Sequence, residues 1–395
     1  MSHHKVRSYV DNSFQQDKNC NIEGLTFDDI LLLPGYTDFF REIVTTDVEL
    51  TANIKLKIPI FSSPMDTVTE ASMAIAMAKM GGMGIIHRSM SITDQVNELK
   101  LVKNTVLNID EHAQATNNKG ILLCGTAVGA SPDFEERVSA LANAGTDLFV
   151  LDTAQGFAQY ILDYIKTIKT ITDIPIMAGN VVTYEGAIAL IEAGANILRV
   201  GMGPGSICTT RIVTGVGVPQ LTAISEVKRA VLDSKSDVKV IADGGIKQIG
   251  DIAKAIAFGA DAVMLGSLLA GFDQCPGETI ELDNQKYKFY RGMGSIGAMQ
   301  KGGAARYGQV GDNTKKLVAE GVEAMVKHKG NVENFLFQIQ GGLKSACYNI
   351  GGRNLQEFQQ KVKYIKISTA SFSESMPHSI NVISSGNSFV SRVSA

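Results

Sequence analysis

The 395-residue chain has no tryptophan, only 9 prolines and 5 cysteines, and no surplus of either charge. Each shortage excludes something. With 37 Lys+Arg against 40 Asp+Glu, the formal charge of −3 argues against a protein built to hold nucleic acid, which carries a basic excess. The cysteines (Cys20, Cys124, Cys208, Cys275, Cys347) are odd in number and far apart. They show neither a zinc spacing nor the density of a disulfide-stapled secreted domain. A reducing cytoplasmic compartment is expected, with at least one thiol free. No apolar run approaches the roughly 18 residues that cross a bilayer, and the opening MSHHKVRSYV lacks the apolar core of a secretory signal. Scarce proline beside 39 glycines points to many tight loops. A 45% hydrophobic share supplies a large core and excludes wholesale disorder.

Short apolar runs recur with amphipathic segments between them. Strands are predicted at Ile58–Ser62, Met83–His87, Leu122–Val128, Leu148–Asp152, Ile174–Gly179, Ile197–Gly201, Val238–Ala242 and Ala262–Gly266. Continuously apolar strands imply burial on both faces, as in parallel sheets. Helices are predicted at Glu70–Lys79, Asp133–Ala144, Tyr184–Ala193, Ala223–Leu232 and Asp251–Phe258, several closed by glycine. Eight such units fit an α/β fold of the (β/α)₈ TIM-barrel type; a doubly wound sheet usually has fewer strands. Residues 24–380 read as one barrel domain between an extension (1–23) and a flexible tail (381–395). Residues 104–119 read as a polar linker. Residues 275–329 read as a lid, with a hairpin at Thr279–Tyr290 and then a glycine-dotted stretch of little structure.

Barrel chemistry belongs on the loops after the strands. The strongest of these is Gly201-Met202-Gly203-Pro204-Gly205-Ser206-Ile207-Cys208-Thr209-Thr210-Arg211. Alternate glycines let the backbone approach a ligand, its N–H groups can hold an anion, and carbonyls turned the other way can hold a monovalent cation. Cys208, among N–H groups, is either a reactive thiolate or a small buried hydrophobe. Asp243-Gly244-Gly245 and Gly266-Ser267 follow the seventh and eighth strands, where barrels often bind phosphate, and Ser206 could join them. In the lid, Arg306 reads as a solvated charge beside Tyr307, since its pKa normally lies above about 12. Thr210 with Glu320 could form a proton relay. His87 and the other cysteines read as packing residues.

Longer motifs then stand out: LTFDDILLLP from Leu25, SSPMDTVTE from Ser62, AGNVVT from Ala178, the cysteine loop with GVGVPQ from Gly215, IADGG from Ile241 and YRGMGSIGAM from Tyr290. Together they resemble the IMP dehydrogenase and GMP reductase family from about Gly24 to His378. The Arg306-Tyr307 pair and Gly294-Ser295-Ile296-Gly297 look like the dehydrogenase branch. Thr214 and Ser345-Ala346-Cys347 look like the reductase.

The resemblance implies a covalent mechanism. Cys208 would attack C2 of IMP, NAD would take the hydride, and a flap carrying Arg306 and Tyr307 would close for hydrolysis to XMP, with Thr210 and Glu320 as a second proton route. Ser206, Gly245, Ser267 and Tyr290, with Gly205, Ile207 and Gly266, would hold the phosphate end, and Asp243 the ribose. Gly292, Met293, Gly294 and Glu320 would meet the base, and Ser63, Met65 and Asn180 would line the pocket. Asp152, Thr153, Ala154, Gly201 and Gly203 would lie on the cofactor side. K⁺ would rest on carbonyls of Gly203, Gly205 and Cys208, completed by Glu374, Ser375 and Met376 of a neighbour in a homotetramer. Met376 and Ser379 depart from the family's usual His and Asp. Most relatives carry a regulatory tandem repeat where this chain has only Asn104–Lys119.

Overall fold

The computed structural model describes residues 23–107, 114–301, 303–309 and 317–380. The expected extension (all but Glu23), the Ser-rich tail, the middle of the 104–119 linker, part of the lid and Cys20 lie outside them.

Eight parallel strands close into a barrel: β1 (Ile60–Ser62), β2 (Met83–Ile86), β3 (Cys124–Val128), β4 (Leu148–Asp152), β5 (Ile176–Val181), β6 (Ile197–Val200), β7 (Lys239–Asp243) and β8 (Ala262–Leu265). Each pairs with its sequence neighbours, and β8 returns to β1 through Val263 and Ile60. All eight expected strands are present, with no end shifted by more than two residues. Helices α1 (Ala71–Lys79), α2 (Ile92–Lys103), α3 (Phe134–Asn143), α4 (Gln159–Ile171), α5 (Tyr184–Ala193), α6 (Gln220–Asp233) and α7 (Ile249–Ala257) fill the outer layer.

Alternation along the strands divides the core in two. Leu148 and Val150 of β4 point inward, with Met83, Ile85, Met177, Ile197 and Ile241 from its neighbours. Phe149 and Leu151 point outward to the helices. A hairpin of Val48–Thr51 and Ile54–Leu56 adds Leu50, Ile54 and Leu56 to the inner cluster. The helices read locally as well. In α4, Ile161, Ile165 and Ile168 recur at helical spacing and are fully buried. The Thr183 hydroxyl accepts from the Gly186 N–H at the start of α5, and Gly194 ends it in the left-handed region at φ 103°.

The lid departs from expectation. The hairpin is present as β9 (Thr279–Leu282) and β10 (Gln285–Arg291), but β11 (Glu323–Lys327) adds a third antiparallel strand beside β10. Its exposed Glu, Met and Lys interrupt the apolar run that marks a strand. A short helix, Ile296–Gln300, and a 3₁₀ turn, Gly303–Tyr307, occupy part of the stretch expected to lack structure.

Gly84 of β2 sets how closely α1 can pack: a Cβ there would lie 2.4 Å from the Ala74 Cα. Gly84→Ala should therefore cost about 1–3 kcal/mol through overpacking. Chemical denaturation should show a lower midpoint with an unchanged slope.

Candidate active site

The strand period of two that builds the core also builds the floor of the site. One step beyond the inward residues Val150, Met177, Ile197 and Ile241 come Asp152, Gly179, Arg199 and Asp243. Arg199 is therefore a guanidinium in the barrel lumen, 2% exposed. Its Nη1 donates to Asp152 Oδ1 at 2.5 Å and its Nε to Asp243 Oδ2 at 2.9 Å. Gly179 makes room for it, since a Cβ there would lie 2.8 Å from the Arg199 Cβ. Asn180 donates from Nδ2 to Asp243 Oδ2 and to the Gly201 carbonyl, while its Oδ1 is buried without a partner in the protein. That acceptor is free for a ligand.

Above this floor lies a cavity of about 130 Å³. Cys208 sits on its wall at the start of a short helical turn, Thr210–Thr214. The Cys208 thiol donates to Thr210 Oγ1 at 3.2 Å, and the Thr210 hydroxyl donates to Glu320 Oε2 at 2.8 Å. Backbone fixes this chain of groups. Thr209 N–H donates to the Glu320 carbonyl, Val322 N–H donates to the Ile207 carbonyl, and Cys208 bridges Gly321. A proton can pass along thiol, hydroxyl and carboxylate without large motion.

The opposite end suits an anion. Gly244 and Gly245 adopt φ of 87° and 78°, a region that favours glycine, and line the cavity with Ser206, Ser267 and Tyr290. Gly266 lets Tyr290 approach: a Cβ on it would lie 3.1 Å from the phenol oxygen. Burial pushes the Tyr290 phenol up to about 12, against the pull of its hydrogen bond with Ser206, so it serves as a neutral donor. Arg291 pairs with Asp66 and its N–H donates to Thr67 Oγ1, tying the end of β10 to the loop after β1.

The expectation that Arg306 is solvated is overturned. Its side chain is 11% exposed and forms an ion pair with Asp152. The 3₁₀ turn delivers it, and the Ala154 N–H donates to the Arg306 carbonyl at 3.0 Å. Burial works to lower its pKa, but Asp152, Tyr307 and Asp243 outweigh burial and raise it. Arg306 is thus held as a cation in this arrangement. For Asp152, burial favours the neutral acid, but Arg306, Arg199 and Arg88 together hold the carboxyl below its usual range. Tyr307 packs against Gly294, where a Cβ would meet its ring at 2.7 Å.

The cavity gathers residues from six separate loops. Ser63, Met65, Ala154, Asn180, Gly201, Gly203, Gly205, Ser206, Ile207, Cys208, Thr210, Asp243, Gly245, Gly266, Ser267, Tyr290, Gly292, Met293, Arg306, Tyr307 and Glu320 all line it. Asp152 lies beneath it, engaged by two arginines. Thr153 is buried, and its hydroxyl donates to the Gly179 carbonyl at 2.7 Å. Gly294 lies behind Tyr307. Glu374, Ser375 and Met376, at the end of a short helix (Thr369–Glu374), do not line it within one subunit. Sequence reasoning missed Arg199, although a charge inside a buried strand was a visible signal. It also missed Arg88, whose guanidinium packs on Gly129, with an unpartnered buried Nε. Burial lowers the Arg88 pKa, partly offset by Asp152. Cys124, Cys275 and Cys347 are buried, as packing residues should be. Among the described residues, no helix is long and apolar enough to cross a membrane.

Fold and site together define a class: a (β/α)₈-barrel enzyme whose cavity sets a thiol and its proton relay opposite an anion cradle. Sequence comparison is more specific. The IMP dehydrogenase / GMP reductase domain matches residues 24–378. An inosine-5′-monophosphate dehydrogenase of Cryptosporidium parvum is 43% identical over 389 residues, covering 91% of this chain and 96% of that protein. One of Borreliella burgdorferi is 43% identical over 397, covering 91% and 97%. One of Aquifex aeolicus is 38% identical over 475 positions, covering 91% and 96%. The last alignment is longer than this chain, so that relative holds inserted sequence absent here. The chain belongs to the IMP dehydrogenase / GMP reductase family.

Arg199→Met should remove the cation paired with Asp243 and one of the two on Asp152, and cost about 3–5 kcal/mol, read as a fall in the unfolding midpoint. Because the folded-state pKa of Asp152 is depressed, its contribution is complete above the unfolded value of about 3.9 and is lost as pH falls through the folded value. Acid titration of stability should therefore show a shallower acid limb in Asp152→Asn than in the wild type.

Proposed function

We propose that the chain is an NAD-dependent IMP dehydrogenase that oxidises IMP to XMP in guanine nucleotide synthesis. The observation that carries this is the Cys208–Thr210–Glu320 chain of hydrogen bonds facing a cavity into which the lid delivers Arg306 and Tyr307. In this reading Ser206, Gly245, Gly266, Ser267 and Tyr290 hold the 5′-phosphate. Asp243, anchored by Arg199, takes the ribose hydroxyls, and Met293 and Glu320 lie at the base.

The Cys208 thiol adds across the C2–N3 double bond of the purine, its sulfur bonding to C2 and its proton ending on N3. A bound NAD would supply the hydride acceptor for that carbon, and with loss of the N3 proton a thioimidate would remain on Cys208. Water then attacks C2, its proton passes to Thr210 and on to Glu320, and the C–S bond breaks to release XMP and the thiol. Dividing oxidation from hydrolysis gives two smaller barriers in place of one. Arg306 stays protonated while it touches Asp152, so in this geometry it contributes positive charge beside the attacking water. A base role for it requires release from Asp152.

The residues fit a cofactor on the Asp152 side, with Thr153, Ala154, Gly201 and Gly203 around it, once Arg306 has left. The flap and the cofactor then take turns. A potassium ion would rest on carbonyls of Gly203, Gly205 and Cys208 in the cysteine loop, where the Gly205 carbonyl also accepts from the Cys208 N–H at 3.1 Å and the Arg211 side chain packs against Gly203. Glu374, Ser375 and Met376 of a neighbour would complete that site in a homotetramer. Exposed Tyr36 and Phe40, 86% and 82% accessible, are apolar surface for such packing. A cytoplasmic enzyme acting on small nucleotides, with no nucleic acid or membrane partner, is the expected setting.

Incubation with IMP and NAD⁺ in potassium buffer should produce NADH, read by its absorbance. NADPH-dependent loss of GMP instead would assign the reductase branch. Cys208→Ala should abolish turnover and leave IMP binding within about threefold. Arg306→Ala should slow hydrolysis by about 10²-fold or more while sparing hydride transfer, so that covalent nucleotide accumulates and is visible by mass spectrometry. Equal loss in both steps would reject the flap assignment.

A further inference from the structure

The cations of the cavity are misplaced for a phosphate. Among its lining residues the only Lys or Arg side chains are Arg199 and Arg306, and both pair with Asp152. The proposed phosphate end offers hydroxyls and glycine backbone alone, whereas a phosphate monoester carries close to two negative charges at neutral pH.

Lys329 stands directly behind that end. It follows β11 at the close of the lid, and its own N–H donates to the Gly271 carbonyl at 2.9 Å. Its side chain passes over the Phe272 ring, with the nitrogen 5.3 Å from the ring centre. The ammonium then donates to the carbonyls of Ser267 and Leu268, both at 3.2 Å. These carbonyls belong to the turn after β8 that carries Gly266 and Ser267 to the cavity. In a trans peptide the C=O and the next N–H point in opposite directions. Gripping the Ser267 carbonyl from outside therefore turns the Leu268 N–H away from Lys329, to the inner side of the turn. The Leu269 and Ala270 N–H groups are taken by the Gly266 carbonyl, which closes the turn and leaves Lys329 to fix its outer face.

We propose that Lys329 is a positioning residue for the nucleotide phosphate: it orients the Ser267–Leu268 turn and supplies, from behind it, the positive charge that the cavity wall lacks. This deepens the dehydrogenase reading and rests on its placement of the phosphate. The residue does not touch the ligand. It acts through two carbonyl dipoles, neutralising the negative ends that face away from the phosphate; burial lowers its pKa to about 8, so the ammonium is still mostly charged at neutral pH.

The discriminating measurement separates phosphate from the rest of the nucleotide. Lys329→Met, Lys329→Gln and Lys329→Arg are assayed for kcat, for KM of IMP, and for competitive inhibition by inosine, which lacks the phosphate, and by inorganic phosphate. Lys329→Met and Lys329→Gln should raise the KM for IMP about tenfold and weaken inhibition by phosphate similarly. Inhibition by inosine and kcat should stay within about twofold, and Lys329→Arg should recover most of the loss. An unchanged KM for IMP overturns the proposal. So does a parallel loss toward IMP and inosine, which would mark general collapse of the turn, or a variant that does not fold while Lys329→Arg behaves no better. The wild-type assay for NADH is run first, so failure of the dehydrogenase reading is seen before any variant is compared.

Discussion

The site depends on one buried cation. Arg199 lies in the lumen of the barrel, where an unpaired guanidinium would carry a large desolvation cost. It is tolerable only because β4 and β7 place Asp152 and Asp243 within hydrogen-bond reach, and because Gly179 on β5 gives it space. The pairing in turn fixes both carboxylates. Asp243 is held in a fixed orientation at the cavity edge, and Asp152 is left as a docking point for a second arginine. Ligand recognition and lid closure therefore share one electrostatic frame, and disturbing it at any member affects the rest.

The frame also explains what holds the segment that carries Arg306. Closure places Arg306 on a carboxylate already paired with Arg199 and influenced by Arg88. Three guanidinium groups around Asp152 leave the closed state with a positive surplus and one buried Nε on each of Arg88 and Arg306 unpartnered.

The thiol side is organised differently. Cys208, Thr210 and Glu320 are held by backbone hydrogen bonds between the cysteine loop and the segment leading into β11, so the lid's return strand positions the relay. The same strand runs on to Lys329 behind the Ser267–Leu268 turn. One excursion of the chain, from β9 to Lys329, thus touches every part of the cavity: Tyr290 and Met293 on its way out, Arg306 and Tyr307 at its tip, Glu320 and Lys329 on its return.

The barrel was legible in the amino-acid pattern because parallel strands buried on both faces read as apolar runs, and most did, with Arg199 interrupting the run of β6. The glycines of the cysteine loop and the Asp243-Gly244-Gly245 turn were equally legible, since backbone approach and positive φ admit few other residues. β11 was not, because its exposed Glu, Met and Lys give no apolar run and its pairing with β10 is non-local. Arg306 was read as solvated because its partner, Asp152, is distant in sequence, and only the closed barrel brings the two together. By itself the sequence marked the loops that could hold an anion and the cysteine that lies on the cavity wall, whereas the thiol's partner is the Thr210 hydroxyl and not a backbone donor. Only the tertiary structure decided which charges meet, because ion pairing depends on distances across the lumen that no local pattern encodes.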